Sequence, residues 1–191
     1  MVVWINPRAV TVWLENSVHD VPVQWPGLVA GEIKEHIMPA DHEHFMRLAI
    51  EEAAKGGAEG NSAVGSVIVR DGNIVAVGRN LVTSANDPTA HAETVALREA
   101  GAALGDPDIT GCTLYTTFQP CPMCSGALIV SGVATLVMGA RPNPGEGRYG
   151  PYSMEQLLEQ AGSEIEIVNG ILPRECLEVR QEWDTKNAGG R

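Results

Sequence analysis

The chain has few cysteines, few cations and no long apolar run. Its four cysteines stand unevenly at positions 112, 121, 124 and 176 of 191 residues, which does not fit a small disulfide-stapled scaffold and points to a reducing setting. No stretch approaches the ~20 consecutive apolar residues that span a bilayer, and the first thirty residues lack a basic start, a single apolar block and a small-residue cleavage site. The expectation is a soluble, cytoplasmic protein with no membrane partner. Thirteen Lys and Arg against 24 Asp and Glu give a net charge of −11, and the cations are scattered singly. A phosphate backbone is bound by clustered cations that release counterions. Near the C-terminus Arg174, Arg180 and Lys186 are interleaved with Glu175, Glu178, Glu182 and Asp184, which cancels any local positive patch. A nucleic-acid partner is therefore not expected. There is no internal repeat and no low-complexity segment.

At 44% hydrophobic content, 191 residues suffice for one domain with a sizeable core. Residues 1–38 differ in texture, with Trp4, Trp13 and Trp25 among the breaks Pro7, Pro22 and Pro26. They read as an extension to a domain spanning 39–191. The alternation Val10-Thr11-Val12-Trp13-Leu14 suits a strand on a sheet edge or an arm on a partner, while a partly disordered tail is an equal alternative. From Asp41, an N-cap residue, apolar positions at helical spacing run to Lys55, where Gly56-Gly57 ends the helix. Two β-branched runs, 63–69 and 74–78, flank Asp71-Gly72 and predict a hairpin. A helix over 91–103, a strand over 112–117, a helix from Pro120 to about Val130 and a strand over 134–139 follow. A Gly/Pro-rich loop, a helix over 153–161, a strand over 164–168 and a last helix over 173–184 complete the pattern. Strands alternating with helices after an opening hairpin argue for an α/β fold, a three-layer α/β/α sandwich on a mixed five-stranded sheet.

The chemistry concentrates in two segments, His91-Ala92-Glu93 and Pro120-Cys121-Pro122-Met123-Cys124. They supply one imidazole, two thiols and a carboxylate. A Cys-x-x-Cys pair alone is equally a redox pair or half of a structural zinc knuckle. With His91 upstream the obvious zinc ligands number three, and a three-ligand set leaves a position for water, as catalytic zinc sites do. Cysteines three apart fit a first helical turn, where the dipole and free N–H groups favour thiolate. Cys112 and Cys176 read as buried small hydrophobes, and His42 and His44 as solvated residues of the first helix.

These residues resemble the zinc deaminase superfamily that includes cytosine, guanine, cytidine, deoxycytidylate and tRNA adenosine deaminases, whose signature is H-x-E followed by P-C-x-x-C. The resemblance covers about 41–185. Asn86-Asp87-Pro88-Thr89-Ala90-His91-Ala92-Glu93 is similar to the guanine and tRNA enzymes; Leu114-Tyr115-Thr116-Thr117, the two cysteines and Gly126-Ala127 are similar to the cytosine enzymes. It implies a cytidine-deaminase-like fold, Zn2+ on His91, Cys121 and Cys124, and Glu93 moving protons between water, the substrate ring nitrogen and departing ammonia. It further implies that Asn80 holds a ring substituent, with help from the Ala92 backbone N–H, and that the protein is a homodimer.

Departures from the family shape the substrate expectation. Guanine enzymes carry a second acid where this chain has Arg148-Tyr149-Gly150-Pro151-Tyr152. Glu146, Glu155 and Glu182 are candidates to stand in, although each suits a solvated surface equally well. Phe118 is placed to line the pocket. Trp183-Asp184 falls where fungal-type cytosine enzymes put an aromatic cap and a base-reading acid, and core packing of Trp183 is an equal alternative. The expected reaction is hydrolytic deamination of a free nucleobase or related heterocycle, cytosine-like or an aminotriazine ahead of guanine. The alternatives are a tRNA adenosine deaminase, a deoxycytidylate-type enzyme and a non-catalytic zinc-stabilised binding module.

Overall fold

A computed structural model describes residues 3–6, 9–14, 17–21, 39–142 and 148–187, and the contacts separate the chain into two units, 1–35 and 36–191. In the first unit, strands β1 (Val3–Asn6), β2 (Ala9–Leu14) and β3 (Ser17–Val21) form an antiparallel three-stranded sheet in sequence order. The strand read from the alternation at 10–14 is β2, and it pairs within its own unit on both sides.

The second unit is built on a five-stranded sheet. Helix α1 (Pro39–Ala58) precedes the hairpin of β4 (Gly65–Arg70) and β5 (Asn73–Arg79). Asp71 and Gly72 at its tip both adopt positive φ, as a two-residue turn of this type requires. Helix α2 (Ala92–Leu104), β6 (Thr113–Phe118), α3 (Pro122–Ser131), β7 (Thr135–Ala140), α4 (Met154–Ala161), β8 (Glu166–Asn169) and α5 (Pro173–Asn187) follow. The strand order is β5-β4-β6-β7-β8. β4 is antiparallel to both neighbours, whereas β6, β7 and β8 are parallel and joined by α3 and α4. The predicted mixed sheet between helical layers is the observed one, with element ends shifted by at most three residues.

Each face of the sheet carries its own core. Ile68, Leu114, Leu136 and Met138 pack with Ala96, Leu128 and Leu158 from α2, α3 and α4. Val67, Val69, Tyr115 and Val137 pack with Phe45, Met46 and Ala49 of α1 and Cys176 of α5. This alternation along β4 and β6 is the period-two burial of a central strand. Cys112 and Cys176 are buried, as small apolar residues would be. His44 is exposed, but His42 corrects the expectation of a solvated residue: its Nδ1 lies 3.0 Å from the hydroxyl of the fully buried Tyr115. A buried phenol needs a partner, and the first turn of α1 supplies one.

Two glycines set how closely helices approach the sheet. At Gly78 a Cβ would lie 2.5 Å from the Ala96 nitrogen and closer still to the Ala92 oxygen, so β5 and α2 touch backbone to backbone. Gly65 has the same relation to Ala49 and Ala53 of α1. The contact at Gly78 seats the first turn of α2, which carries the residues considered next. No helix among the described residues is long and apolar enough to cross a membrane.

Candidate metal centre

Helices α2 and α3 begin side by side at the carboxyl edge of the parallel strands, where open α/β sheets place their ligands. Their N-cap residues are His91 and Cys121, both extended in backbone, and neither side chain caps its helix. Other residues secure these ends. Asp87 Oδ1 accepts hydrogen bonds from the Thr89 N–H (2.8 Å) and hydroxyl (2.6 Å), and the Thr94 hydroxyl donates to the Thr89 and His91 carbonyls. Pro122 occupies the first turn of α3, where a missing N–H is harmless. The imidazole and the thiol are thereby free to face one another.

His91 Nδ1 lies 3.6 Å from Cys121 Sγ and 3.5 Å from Cys124 Sγ, and the two sulfurs are 3.5 Å apart. Zinc–sulfur bonds of about 2.3 Å and a zinc–nitrogen bond of about 2.0–2.1 Å in a tetrahedron require S···S near 3.8 Å and S···N near 3.5 Å. The triangle fits that requirement within a few tenths of an ångström. Among the described residues it is the one His, Cys, Asp or Glu group of three close enough to hold an ion.

The Cys121 thiol is drawn down to about 4, first by its hydrogen bond with Cys124 and further by His91. Cys124 is pushed upward through that same hydrogen bond and by burial. His91 is raised, chiefly by its hydrogen bond with Cys121. Glu93 is 4% exposed and accepts the Cys124 S–H at 3.5 Å; burial pushes its carboxyl up, and the Cys121 charge adds to the shift.

The other sequence-derived residues fall around this centre unequally. Asn80 is buried at the end of β5, and its neighbour Leu81 donates its N–H to the Ala90 carbonyl. Asn80 Oδ1 accepts the Val82 N–H at 3.1 Å, which leaves the amide NH2 as the group it can offer a ligand. Ala92 is the first residue of α2, where the helix provides its N–H with no acceptor. Phe118 ends β6, three residues before Cys121, with the Arg180 guanidinium 5.5 Å from its ring centre. Trp183 lies against α1, its ring 3.3 Å from where a Gly57 Cβ would stand. Asp184 is exposed on α5 and 3.5 Å from Arg180 Nε.

None of the described candidates for a second acid is joined to the metal triangle. Glu155 pairs with Arg141 at 2.8 Å, and Glu182 faces Lys186 at 4.0 Å on the outer side of α5. Glu146 lies outside the described residues. In the region of Arg148–Tyr152 the structure instead brings up phenols. The Tyr152 hydroxyl is 2.5 Å from Ser125 Oγ and donates to the Pro120 carbonyl at 3.1 Å, tying this loop to the cysteine-bearing turn. Tyr149 stacks edge-on against Tyr152, and burial raises its hydroxyl, with the Cys121 charge adding to the effect. Sequence reasoning missed Ser125 and Tyr152. The signal was faint: a hydroxyl beside Cys124, and two tyrosines where an acid was sought.

Fold and site together define a zinc-binding α/β protein of the deaminase kind, with a His-Cys-Cys triangle and a buried carboxylate beside it. Residues 39–140 match the family of the cytidine and deoxycytidylate deaminase zinc-binding region, and the chain belongs to that family. It is 39% identical over 134 residues to the tRNA-specific adenosine deaminase of Bacillus subtilis, covering 70% of this chain and 83% of that protein. To the chloroplastic tRNA(adenine(34)) deaminase of Arabidopsis thaliana it is 38% identical over 157 residues, 74% of this chain but 12% of that much longer protein. A structure of the guanine deaminase of Nitrosomonas europaea superposes with a TM-score of 0.67 at 25% identity, over 85% of this chain and 99% of that one.

Proposed function

We propose that the protein is a zinc-dependent hydrolase that replaces the exocyclic amino group of a small heterocycle by a carbonyl and releases ammonia. The observation that carries this reading is the Glu93 carboxylate, buried beside the His91-Cys121-Cys124 triangle. Bound by those three side chains, zinc supplies Lewis acidity, which makes water a nucleophile near neutral pH. Glu93 takes the proton of that water, passes it to the ring nitrogen beside the amino-bearing carbon and returns a proton to the leaving ammonia. A binding module whose zinc is only structural has no use for a carboxylate in this place. The Asn80 amide NH2 and the Ala92 N–H are donors, so they suit acceptor atoms on the substrate ring. Phe118 supplies an apolar wall, and Trp183 and Asp184 act through Arg180 and α1 more than through the ring.

A cytosine-like or aminotriazine ring comes first and guanine second, because Glu155 and Glu182, the described candidates to replace the guanine enzymes' second carboxylate, are engaged at the surface. Relatives named as tRNA deaminases support a second reading, adenosine in a tRNA anticodon. The net charge of −11 and the acid–base pairs along α5 oppose it. Ammonia release should be measured on cytosine, guanine, aminotriazines and an adenosine-bearing anticodon stem-loop. Turnover of the stem-loop alone, weakening steeply with salt, would replace the first reading with the second.

A homodimer belongs to the same proposal. Helix α3 carries no charged residue, yet Val130 is 88% and Met123 39% exposed. An apolar helix is ordinarily covered. The groove between α3 and α2 is lined by Ala127 and Val130 together with Arg98, Asp106 and Asp108, so the patch carries charges of both signs that a second copy related by a two-fold axis can pair. In light scattering the protein should run at twice its 20.3 kDa chain mass, and Val130→Glu should run as a monomer. A monomeric parent at micromolar concentration would remove the proposal.

A further inference from the structure

One hydroxyl holds both ends of the cysteine turn. Pro120 stands immediately before Cys121, and Ser125 immediately after Cys124. Tyr152, 27 residues beyond Ser125, reaches both: its phenol donates to the Pro120 carbonyl at 3.1 Å, and its oxygen lies 2.5 Å from Ser125 Oγ. With the phenol proton on that carbonyl, the Ser125 hydroxyl is the donor of the shorter bond. Met154 Sδ, at 3.8 Å from the phenol, is the weaker acceptor. Ser125 is fully buried, so its bond is made away from water and belongs to the interior of the protein.

The chemistry of the turn explains why the tie comes from outside it. Pro120 and Pro122 have no N–H to give, and Cys121 leaves α3 without a side-chain cap. The start of α2 is different, because Asp87, Thr89 and Thr94 of its own segment secure it. Tyr152 is itself well anchored. Ser153 caps α4 by accepting the Gln156 N–H at 3.2 Å, and Met154 is fully buried in the core beneath α3 and α4. Tyr149 packs edge-on against the phenol, with ring centres 6.4 Å apart. A rigid aromatic arm thus carries one hydroxyl to the two residues that bracket the metal-binding sulfurs.

We propose that Tyr152 is a positioning residue of the metal centre, which sets the separation and aim of the Cys121 and Cys124 sulfurs by gripping Pro120 and Ser125. The proposal rests on the His91-Cys121-Cys124 centre and is independent of which substrate is turned over. Sulfurs held in advance lose little conformational freedom when an ion binds. Groups that orient metal ligands in this way are worth about 10–100-fold in affinity.

Tyr152→Phe keeps the ring and removes the hydroxyl. In the full chain it should bind zinc about ten- to a hundredfold more weakly in competition with a chelator. Cobalt(II) placed in the same site should show altered thiolate charge-transfer and d–d absorption, because those bands follow the coordination geometry. Ser125→Ala spares the bond to the Pro120 carbonyl and should lose less. The double variant should bind zinc no more weakly than Tyr152→Phe, since the two hydroxyls act as one unit. Tyr115→Phe is the control: it also removes a buried, hydrogen-bonded phenol hydroxyl, but on the opposite face of the sheet. It should keep the zinc affinity and cobalt spectrum of the parent, and urea midpoints of the metal-free chains show what each hydroxyl contributes to folding alone. A parent-like affinity and spectrum in Tyr152→Phe overturns the proposal. So does a loss that Tyr115→Phe reproduces at equal cost in stability, which makes Tyr152 a packing residue, and so do losses that add in the double variant. Each of these leaves the metal centre standing, whereas a parent that binds neither zinc nor cobalt sinks the centre and the proposal together.

Discussion

Glu93→Gln should lower kcat by at least about a thousandfold while zinc stays bound at one equivalent per chain. The substitution keeps the side-chain volume, so the buried space beside Cys124 remains filled. An amide neither accepts nor returns a proton at neutral pH, and positioned proton transfer is worth roughly 10²–10⁴ in rate. Here one carboxylate serves the water, the ring nitrogen and the leaving ammonia, so the loss belongs at the upper end. The measurements are ammonia release under saturating substrate and metal content by mass spectrometry. A variant within tenfold of the parent would remove Glu93 from the chemistry, and the deaminase reading with it. A variant that also lost its zinc would show instead that Glu93 shapes the metal centre.

The largest effect on folding is expected from one methyl group where β5 meets the first turn of α2. Gly78→Ala puts a Cβ into the backbone of α2 at Ala92 and Ala96. Backbone atoms cannot rotate away as a side chain would, so helix and strand must separate. Overpacking of this kind costs about 1–3 kcal/mol, and more when the obstacle is main chain. The segment displaced begins at His91, so zinc affinity should fall together with stability. The control is Gly101→Ala in the same helix, where the added carbon would lie at an ordinary 3.4 Å from the Asp106 oxygen. There a helix-interior alanine should stabilise by about 0.5–1 kcal/mol. Urea midpoints and a zinc competition assay against a chelator check both. Equal behaviour of the two variants would mean that the close approach at Gly78 sets neither stability nor the metal site.

These two residues also mark what could be read without coordinates. The hairpin around Asp71-Gly72, the alternation of strands with helices and the pairing of H-A-E with P-C-P-M-C are local patterns. Each follows from the period of apolar residues or from the donor chemistry of a few side chains. Gly78 is silent in that respect, because a glycine in a strand says nothing about which helix crosses it. Arg180 is an instructive miss. Its charge placed it in a solvated run between acids, yet the spacing Cys176, Arg180, Trp183 is that of one helix face, and Cys176 faces the core. His42 was read as solvated for the same reason, and Tyr115, 73 residues away, claims it. Such long-range partners are set by strand order, which no local pattern encodes. Tyr152 and Ser125 belong with them: each is an ordinary surface residue by type, and only the return of the chain after β7 sets one against the other.

The position of the metal ligands at two helix N-caps also bears on when the centre can form. His91 follows β5, and Cys121 follows β6, and these strands are not neighbours: β4 lies between them. The two halves meet only after β4 has paired on both of its edges, a late event for a chain whose contacts span dozens of residues. Zinc capture is therefore a clock for the sheet. A chain emerging from the ribosome, or refolding from urea, should acquire its high-affinity site in a single late phase, with the metal recording the moment at which strand order is complete.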